Sequence, residues 1–150
     1  MSSCKSAKKG FTLVEILIVV IILGILAAIV IPQFANASND ARLTNLKTTL
    51  ANVRNQIEIF KTQHNENAPD VNVMWNIMLL PSDTTEASSA APTGTKWGPY
   101  LQAAPYNPLN NLSGVTSAAI DSNAGWYYSP IGMGYTFYAR SVDGNIMTSY

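Results

Sequence analysis

Apolar and polar positions alternate in two different ways along the first half of the chain. From Phe11 to Ala35, 20 of 25 residues are apolar and the only charge is Glu15. Ile16 to Ile31 has no polar side chain, so a helix formed there has no polar face and predicts an apolar surrounding. Phe11 to Ile31 is 21 residues, roughly 31 Å of helix against a bilayer hydrocarbon core of about 30 Å, so the segment can cross a membrane. After Pro32 the pattern changes. Leu43, Leu46, Leu50, Val53, Ile57 and Phe60 recur at spacings of three and four, which is one stripe of a helix. Asp40, Arg42, Asn45, Lys47, Asn52, Arg54, Asn55, Glu58 and Lys61 fall between them and are expected to face solvent. The stripe is short for a coiled coil, under about four heptads, and predicts packing on a sheet over about Phe34 to Gln63.

Asn65 to Asp70 reads as a helix stop, and Val71 to Leu80 as a short buried helix ended by Pro81-Ser82. Residues 82–95, small and polar, predict a surface loop and a conceivable glycosylation target. Asn111-Leu112-Ser113 fits an N-glycosylation pattern, a match common by chance. Trp126 to Ser129, Tyr135 to Arg140 and Asn145 to Thr148 read as strands, with turns at Pro130 to Gly134 and at Asp143-Gly144. The expectation is an α+β domain in which a long helix packs on a small antiparallel meander. His64, at the helix end, is expected to offset the helix dipole rather than to bind a metal.

Charge changes the picture at the N-terminus. Overall nine Lys and Arg balance nine Asp and Glu, and only 12% of residues are charged, which excludes the basic surplus of a nucleic-acid binder. A content of 47% hydrophobic residues argues against simple disorder. Lys5, Lys8 and Lys9 nevertheless give the head a local charge of +3, which would hold it on the cytoplasmic side and place residues 36–150 outside. Three readings follow: a conventional signal peptide cut after Ala37 at Ala35-Asn36-Ala37, an uncut signal anchor, or a specialised leader. The first two leave Glu15 without a role, although an acid at mid-membrane costs about 2.5–3.5 kcal/mol and calls for a partner.

Lys9-Gly10-Phe11-Thr12-Leu13-Val14-Glu15 and the apolar run after it resemble the prepilin motif of type IV pilins and of the pseudopilins of type II secretion. The resemblance implies a leader of residues 1–10, a membrane and filament-core helix of residues 11–35, and a globular pilin-like domain of residues 36–150. It implies cleavage between Gly10 and Phe11 by a prepilin peptidase that also N-methylates Phe11. It further implies assembly through Glu15 facing the Phe11 amine of a neighbouring subunit. Opposite charges attract strongly in an apolar bundle, where either alone carries an uncompensated desolvation cost. Gly24 and Pro32 also match family positions, and between them the helix can bend or unwind in the filament. The implied partners are further copies of the chain in a helical filament, the peptidase, the inner-membrane assembly platform and minor pilins, with the membrane as host before assembly. Filaments of this kind are extracellular or periplasmic.

Trp97-Gly98-Pro99-Tyr100-Leu101, with Pro105 and Pro108 after it, is similar to a stretch of major pseudopilins and favours that side of the family. Two features depart from the family. The one cysteine, Cys4, lies in the leader, whereas many type IV pilins close a C-terminal loop with a disulfide. Major pseudopilins often bind calcium near the C-terminus, but the oxygen donors here, Asp121, Ser122, Asn123, Asp143 and Asn145, are scattered. Calcium takes about six to eight oxygens, so no metal or other cofactor is expected. A single His, no mature Cys, no nucleophile elbow and no phosphate loop predict that the chain is not an enzyme. The aromatic residues Trp126, Tyr127, Tyr128, Tyr135, Phe137 and Tyr138 could bind sugars, but are expected to serve packing. The alternative from another class is a soluble exported binding module with a signal cut after Ala37.

Overall fold

The computed structural model of the chain describes residues 10–89 and 91–148. Cys4, Lys5, Lys8 and Lys9, and with them the expected leader up to its last residue, lie outside the described residues. Contacts divide the chain into two units, Met1–Asp40 and Ala41–Tyr150, and each is described by itself.

Among the described residues of the first unit, one element is present. Helix α1 starts at Leu13 and runs without interruption to Gln63, well into the second unit. As far as residue 40 every described residue is exposed. The apolar side chains from Ile16 to Leu26 keep between 50% and 58% of their surface open on all sides of the helix, which is what a run without a polar face produces.

In the second unit the α1 stripe is buried as its spacing predicts: Leu46, Leu50, Val53, Ile57 and Phe60 are closed to solvent and Leu43 is half-buried. Truncating such a leucine to alanine typically costs about 2–5 kcal/mol. Lys61, expected to face solvent, is buried instead. Its stem lies along the core while Nζ sits 3.3 Å from Glu58 and 5.7 Å from the centre of the Tyr135 ring, so the amine reaches out past apolar atoms. Past Gln63 the backbone turns through left-handed Asn65 (φ 55°) and Glu66 (φ 63°), whose N–H donates to Lys61 O.

Helix α2 covers Met74–Leu79, shorter than the Val71–Leu80 that the apolar run suggests. The Asp70 carboxylate accepts from Asn72 N at 2.8 Å, and this local turn competes with helix formation at residues 71–73. At the other end Leu80 is extended (φ −113°, ψ 153°), as expected before Pro81. Met74, Ile77 and Met78 face the core.

Strands β1 (Val115–Thr116), β2 (Trp126–Ile131), β3 (Gly134–Arg140) and β4 (Ile146–Met147) form one sheet in that order. The β2–β3 and β3–β4 pairings are antiparallel, as expected for a meander. β1 corrects the purely antiparallel sheet: it pairs parallel with β2, Val115 opposite Trp126, so the sheet is mixed. The β2–β3 turn is also tighter than Pro130 to Gly134. Pro130 and Ile131 pair with Tyr135 and Gly134, leaving Gly132 and Met133 as a two-residue loop, with Gly132 at φ 58°.

Helix and sheet are joined by polar clamps as well as by the core. The Arg54 guanidinium donates through Nε and Nη2 to Phe137 O at 3.1 and 2.7 Å, and the Tyr135 hydroxyl donates to Arg54 O at 3.1 Å. Trp126, Tyr128 and Phe137 are core residues, which assigns three of the aromatic residues to packing. The Tyr128 hydroxyl donates to Pro69 O, the Trp126 indole to Pro105 O and the Trp75 indole to Ser113 O. Each ring, Trp126 and Tyr128 buried and Trp75 half-buried, thus ties down a loop by its polar tip.

The loop expected at residues 82–95 is partly folded inward. Ser82 and Ala87 are buried, and Ser82 and Trp97 exchange backbone hydrogen bonds at the loop's base. Inside it the Glu86 carboxylate accepts from the backbone N–H groups of Asp83, Thr93 and Gly94 at 2.7, 2.9 and 3.0 Å, and from the Thr93 hydroxyl. Gly94 packs so closely that a Cβ there would lie 2.2 Å from Asp83 N. These donors favour the ionised acid and hold it below the ordinary glutamate value of 4.5, the Thr93 and Asp83 amides foremost. Because the folded value is depressed, the loop's stabilisation is present above 4.5 and is lost as pH falls through the folded value. In NMR titrations of the full chain in detergent micelles, the Asp83, Thr93 and Gly94 amides should shift together with a midpoint below 4.5, and Glu86→Gln should abolish the transition. A midpoint at or above the ordinary value would contradict this role.

Candidate functional site

Gly10, Phe11 and Thr12 precede α1 in non-helical backbone, and all three are exposed. Phe11 keeps 84% of its surface open. The Gly10–Phe11 bond therefore lies outside the hydrogen-bonded helix. Ala37, the other proposed cleavage position, lies inside α1, where the bond is locked in helical hydrogen bonding.

The first turn of α1 contains an arrangement that the resemblance did not supply. Thr12 N and Thr12 Oγ1 both donate to Glu15 Oε2 at 2.8 Å, and Glu15 N donates to Thr12 Oγ1 at 3.2 Å. This is a capping box, in which a Thr and the Glu three residues on satisfy backbone groups at the helix start. Its signal, a Thr-x-x-Glu before an apolar run, stands in the sequence. Glu15, read only as a partner for a neighbouring amine, therefore also holds the start of its own helix and is itself oriented by Thr12. One carboxylate oxygen carries both Thr12 hydrogen bonds.

Gly24 and Pro32 lie inside an unbroken helix in this single subunit. A methyl group built at Gly24 would meet no atom within 4 Å, so packing within the chain does not demand a glycine. Pro32 leaves the helix without one N–H donor.

His64 sits at the helix end and donates to one of its last carbonyls, as expected, but is buried there. Its ring is fully buried and stacks on Phe60 at 3.8 Å. Nδ1 lies 2.9 Å from Phe60 O, and since a carbonyl only accepts, Nδ1 carries a proton and donates. Nε2 lies 3.0 Å from the Ser82 hydroxyl. The side chain joins the end of α1 to the base of the 82–95 loop. Close by, the pseudopilin-like segment Trp97–Leu101 docks on both helices: Tyr100 N and Leu101 N donate to Met78 O, and the Tyr100 hydroxyl donates to Gln63 Oε1 at 2.6 Å. The Gly98–Pro99 peptide bond is cis.

Of the oxygen donors considered for calcium, two residues have an oxygen engaged in a turn, Asp121 through its side chain and Asn145 through its backbone carbonyl. Asp121 Oδ1 accepts from Asn123 N, and Asn145 O accepts from Ser141 N. Among the described residues no group of three or more His, Cys, Asp or Glu is placed to hold a metal. Two buried polar residues that sequence reasoning missed organise this end of the molecule. Asn107 Nδ2 donates to Gly125 O and to Arg140 O, both at 2.7 Å, while its Oδ1 accepts from Leu109 N. Arg140, at the end of β3, turns its guanidinium to the carbonyls of Ala118, Ala119 and Gly144. Their only signal in the sequence was position, Asn107 between two prolines and Arg140 at a strand end.

Residues 5–31 match the family model described as the prokaryotic N-terminal methylation motif. Over 93 residues the chain is 40% identical to a type IV major fimbrial protein FimA of Dichelobacter nodosus, covering 60% of this chain and 59% of that one. It is 44% identical over 55 residues to the type IV narrow pilus major component PilA5 of Thermus thermophilus, covering 37% and 47%. With the type II secretion system core protein G of Aeromonas hydrophila it shares 25% identity over 107 residues, 71% of each chain. The chain spans about half the length of the first two relatives. No solved structure matches it. The motif at the head of this chain is thus the N-terminal methylation motif, and the resemblance read from Lys9 to Glu15 is to type IV pilins and type II secretion pseudopilins.

Proposed function

We propose that this chain is a structural filament subunit, made as an inner-membrane precursor, cut between Gly10 and Phe11, methylated on the Phe11 amine and polymerised through its N-terminal helix. The observation that carries this reading is the exposed apolar surface of α1 from Leu13 to Phe34, most of which lies within the stretch that matches the methylation motif. Burial of that surface among neighbouring copies is favourable by about 25 cal/mol per Å², once extraction from the membrane has been driven from outside. Glu15 in that bundle faces the Phe11 amine of a neighbour. Gly24 and Pro32 mark where α1 can bend or unwind as copies pack. The peptidase, an assembly platform in the inner membrane and minor pilins are the partners this role requires. The finished filament is extracellular or periplasmic, and no catalytic role is assigned to the chain.

The Trp97–Leu101 segment and the match to core protein G along 71% of both chains support a pseudopilus. Higher identity to the fimbrial protein over 93 residues supports a surface pilus as the second reading. Cell fractionation with electron microscopy separates a filament outside the cell from one confined to the periplasm.

Intact mass and N-terminal sequencing of the mature protein test the processing directly. A chain starting at methylated Phe11 is expected, and one starting at Ser38 would reject the filament reading in favour of a soluble exported module. Glu15→Leu should leave the protein in the membrane fraction while sheared filaments disappear. Thr12→Val, which removes a capping hydroxyl worth about 1 kcal/mol, should lower filament yield, and Thr12→Ser should restore it. Equal yields from the Val and Ser variants would show that the capping box has no part in assembly.

A further inference from the structure

The carbonyl oxygens of Ala118 and Ala119 in the loop after β1 and of Gly144 in the turn before β4 converge on one place, the buried guanidinium of Arg140. Three carbonyl dipoles aimed at a common point repel one another unless a positive charge lies between them. Nη1 donates to Gly144 O and to Ala119 O, the latter at 3.4 Å, and Nη2 donates to Ala118 O. The cation is 5.6 Å from the centre of the Tyr127 ring, and Asp121, whose N–H donates to Gly144 O, supplies an attractive charge. Asn107 fixes the base of the arrangement by donating to Arg140 O. Gly144 is required by the fold, for it stands at φ 77° and a Cβ would lie 2.7 Å from Asp121 C.

This is the region in which the pseudopilin resemblance implies calcium, and the residues do not fit that ion. Calcium takes about six to eight oxygens at about 2.3–2.6 Å. Here three backbone oxygens already accept N–H groups, and the Asp121 carboxylate accepts from Asn123 N. We infer that the Arg140 guanidinium is the built-in cation of these two loops, so that they order without a divalent metal. A guanidinium suits the task because its planar fork addresses several acceptors at once and keeps its charge, whereas an ammonium is a single compact point of charge. The same latch fixes Ile120 and Val142, which sit on the two loops with 71% and 70% of their surface open. The Arg140 side chain thus sets how that exposed apolar pair is presented.

Thermal unfolding of the full chain in detergent micelles, followed by near-ultraviolet circular dichroism, tests the inference in millimolar calcium chloride and in EDTA. Wild-type protein should unfold at the same temperature in both, and a Tm that rises with calcium would overturn the inference without a variant being needed. Arg140→Lys, which keeps the charge and loses the fork, should fold with a lower Tm, again without response to calcium. Hydrogen exchange of the amides at 118–121 and 144 should be faster in that variant while the α1 core amides stay protected. An Arg140→Lys protein with the wild-type Tm and wild-type exchange would also overturn it.

Discussion

The apolar surface of the first part of α1, Leu13 to Phe34, must leave water, and no described residue of the chain covers it. From Phe11 to Phe34 the large apolar side chains stand open around the whole circumference of the helix. A surface of that kind is compatible with two surroundings, lipid and other apolar helices, and a filament precursor needs both in turn. Every other feature of the first forty residues can be related to that requirement. Gly10 and Phe11 lie exposed ahead of the helix, and Glu15 is the one charge between Phe11 and Ala35. The capping box gives that acid a hydrogen-bonded place before any neighbour arrives. Thr12 thereby links local helix formation to the position of the Glu15 carboxylate.

The second unit solves a different problem with the same helix. There α1 has one apolar stripe, and the sheet, α2 and the loops close over it. Backbone carbonyls at loop positions are the acceptors for Tyr128, Trp126, Trp75, Asn107 and Arg140, so a domain with little regular structure is held by buried side chains reaching to its irregular backbone. That strategy needs few charges. Cut at the proposed Gly10–Phe11 bond, the chain would lose Lys5, Lys8 and Lys9 and keep six basic and nine acidic side chains. Sparse charge suits subunits that lie close together, because like-charge repulsion between copies stays small.

Legibility in the sequence followed the length and periodicity of each signal. The 21-residue apolar run and the three-four spacing from Leu43 to Phe60 placed α1 and its buried face, and β2 and β3 were long enough to read. β4, two residues long, is readable only through the Asp143-Gly144 turn before it, whereas β1, equally short and with no such turn, and its parallel pairing leave no signal. Burial of Lys61, His64 and Arg140 was also hidden, since it depends on partners far along the chain, among them Ser82, Tyr135 and Ala118. The Thr12 to Glu15 capping box is readable as Thr-x-x-Glu before an apolar run, although the family resemblance gives the acid only its role toward a neighbouring amine. Glu86 stood in a loop that composition described as merely polar, although an Asp-x-x-Glu spacing at Asp83 marked the carboxylate that organises it.

Electron cryomicroscopy of filaments sheared from cells or purified from the periplasm tests the central claim most directly. The account predicts a core of packed α1 segments, residues 11–31 shielded from water by copies of themselves. It also predicts each Glu15 carboxylate within hydrogen-bonding distance of a neighbour's Phe11 amine. Filaments with α1 on the outside, or a core in which Glu15 faces no amine, would contradict it.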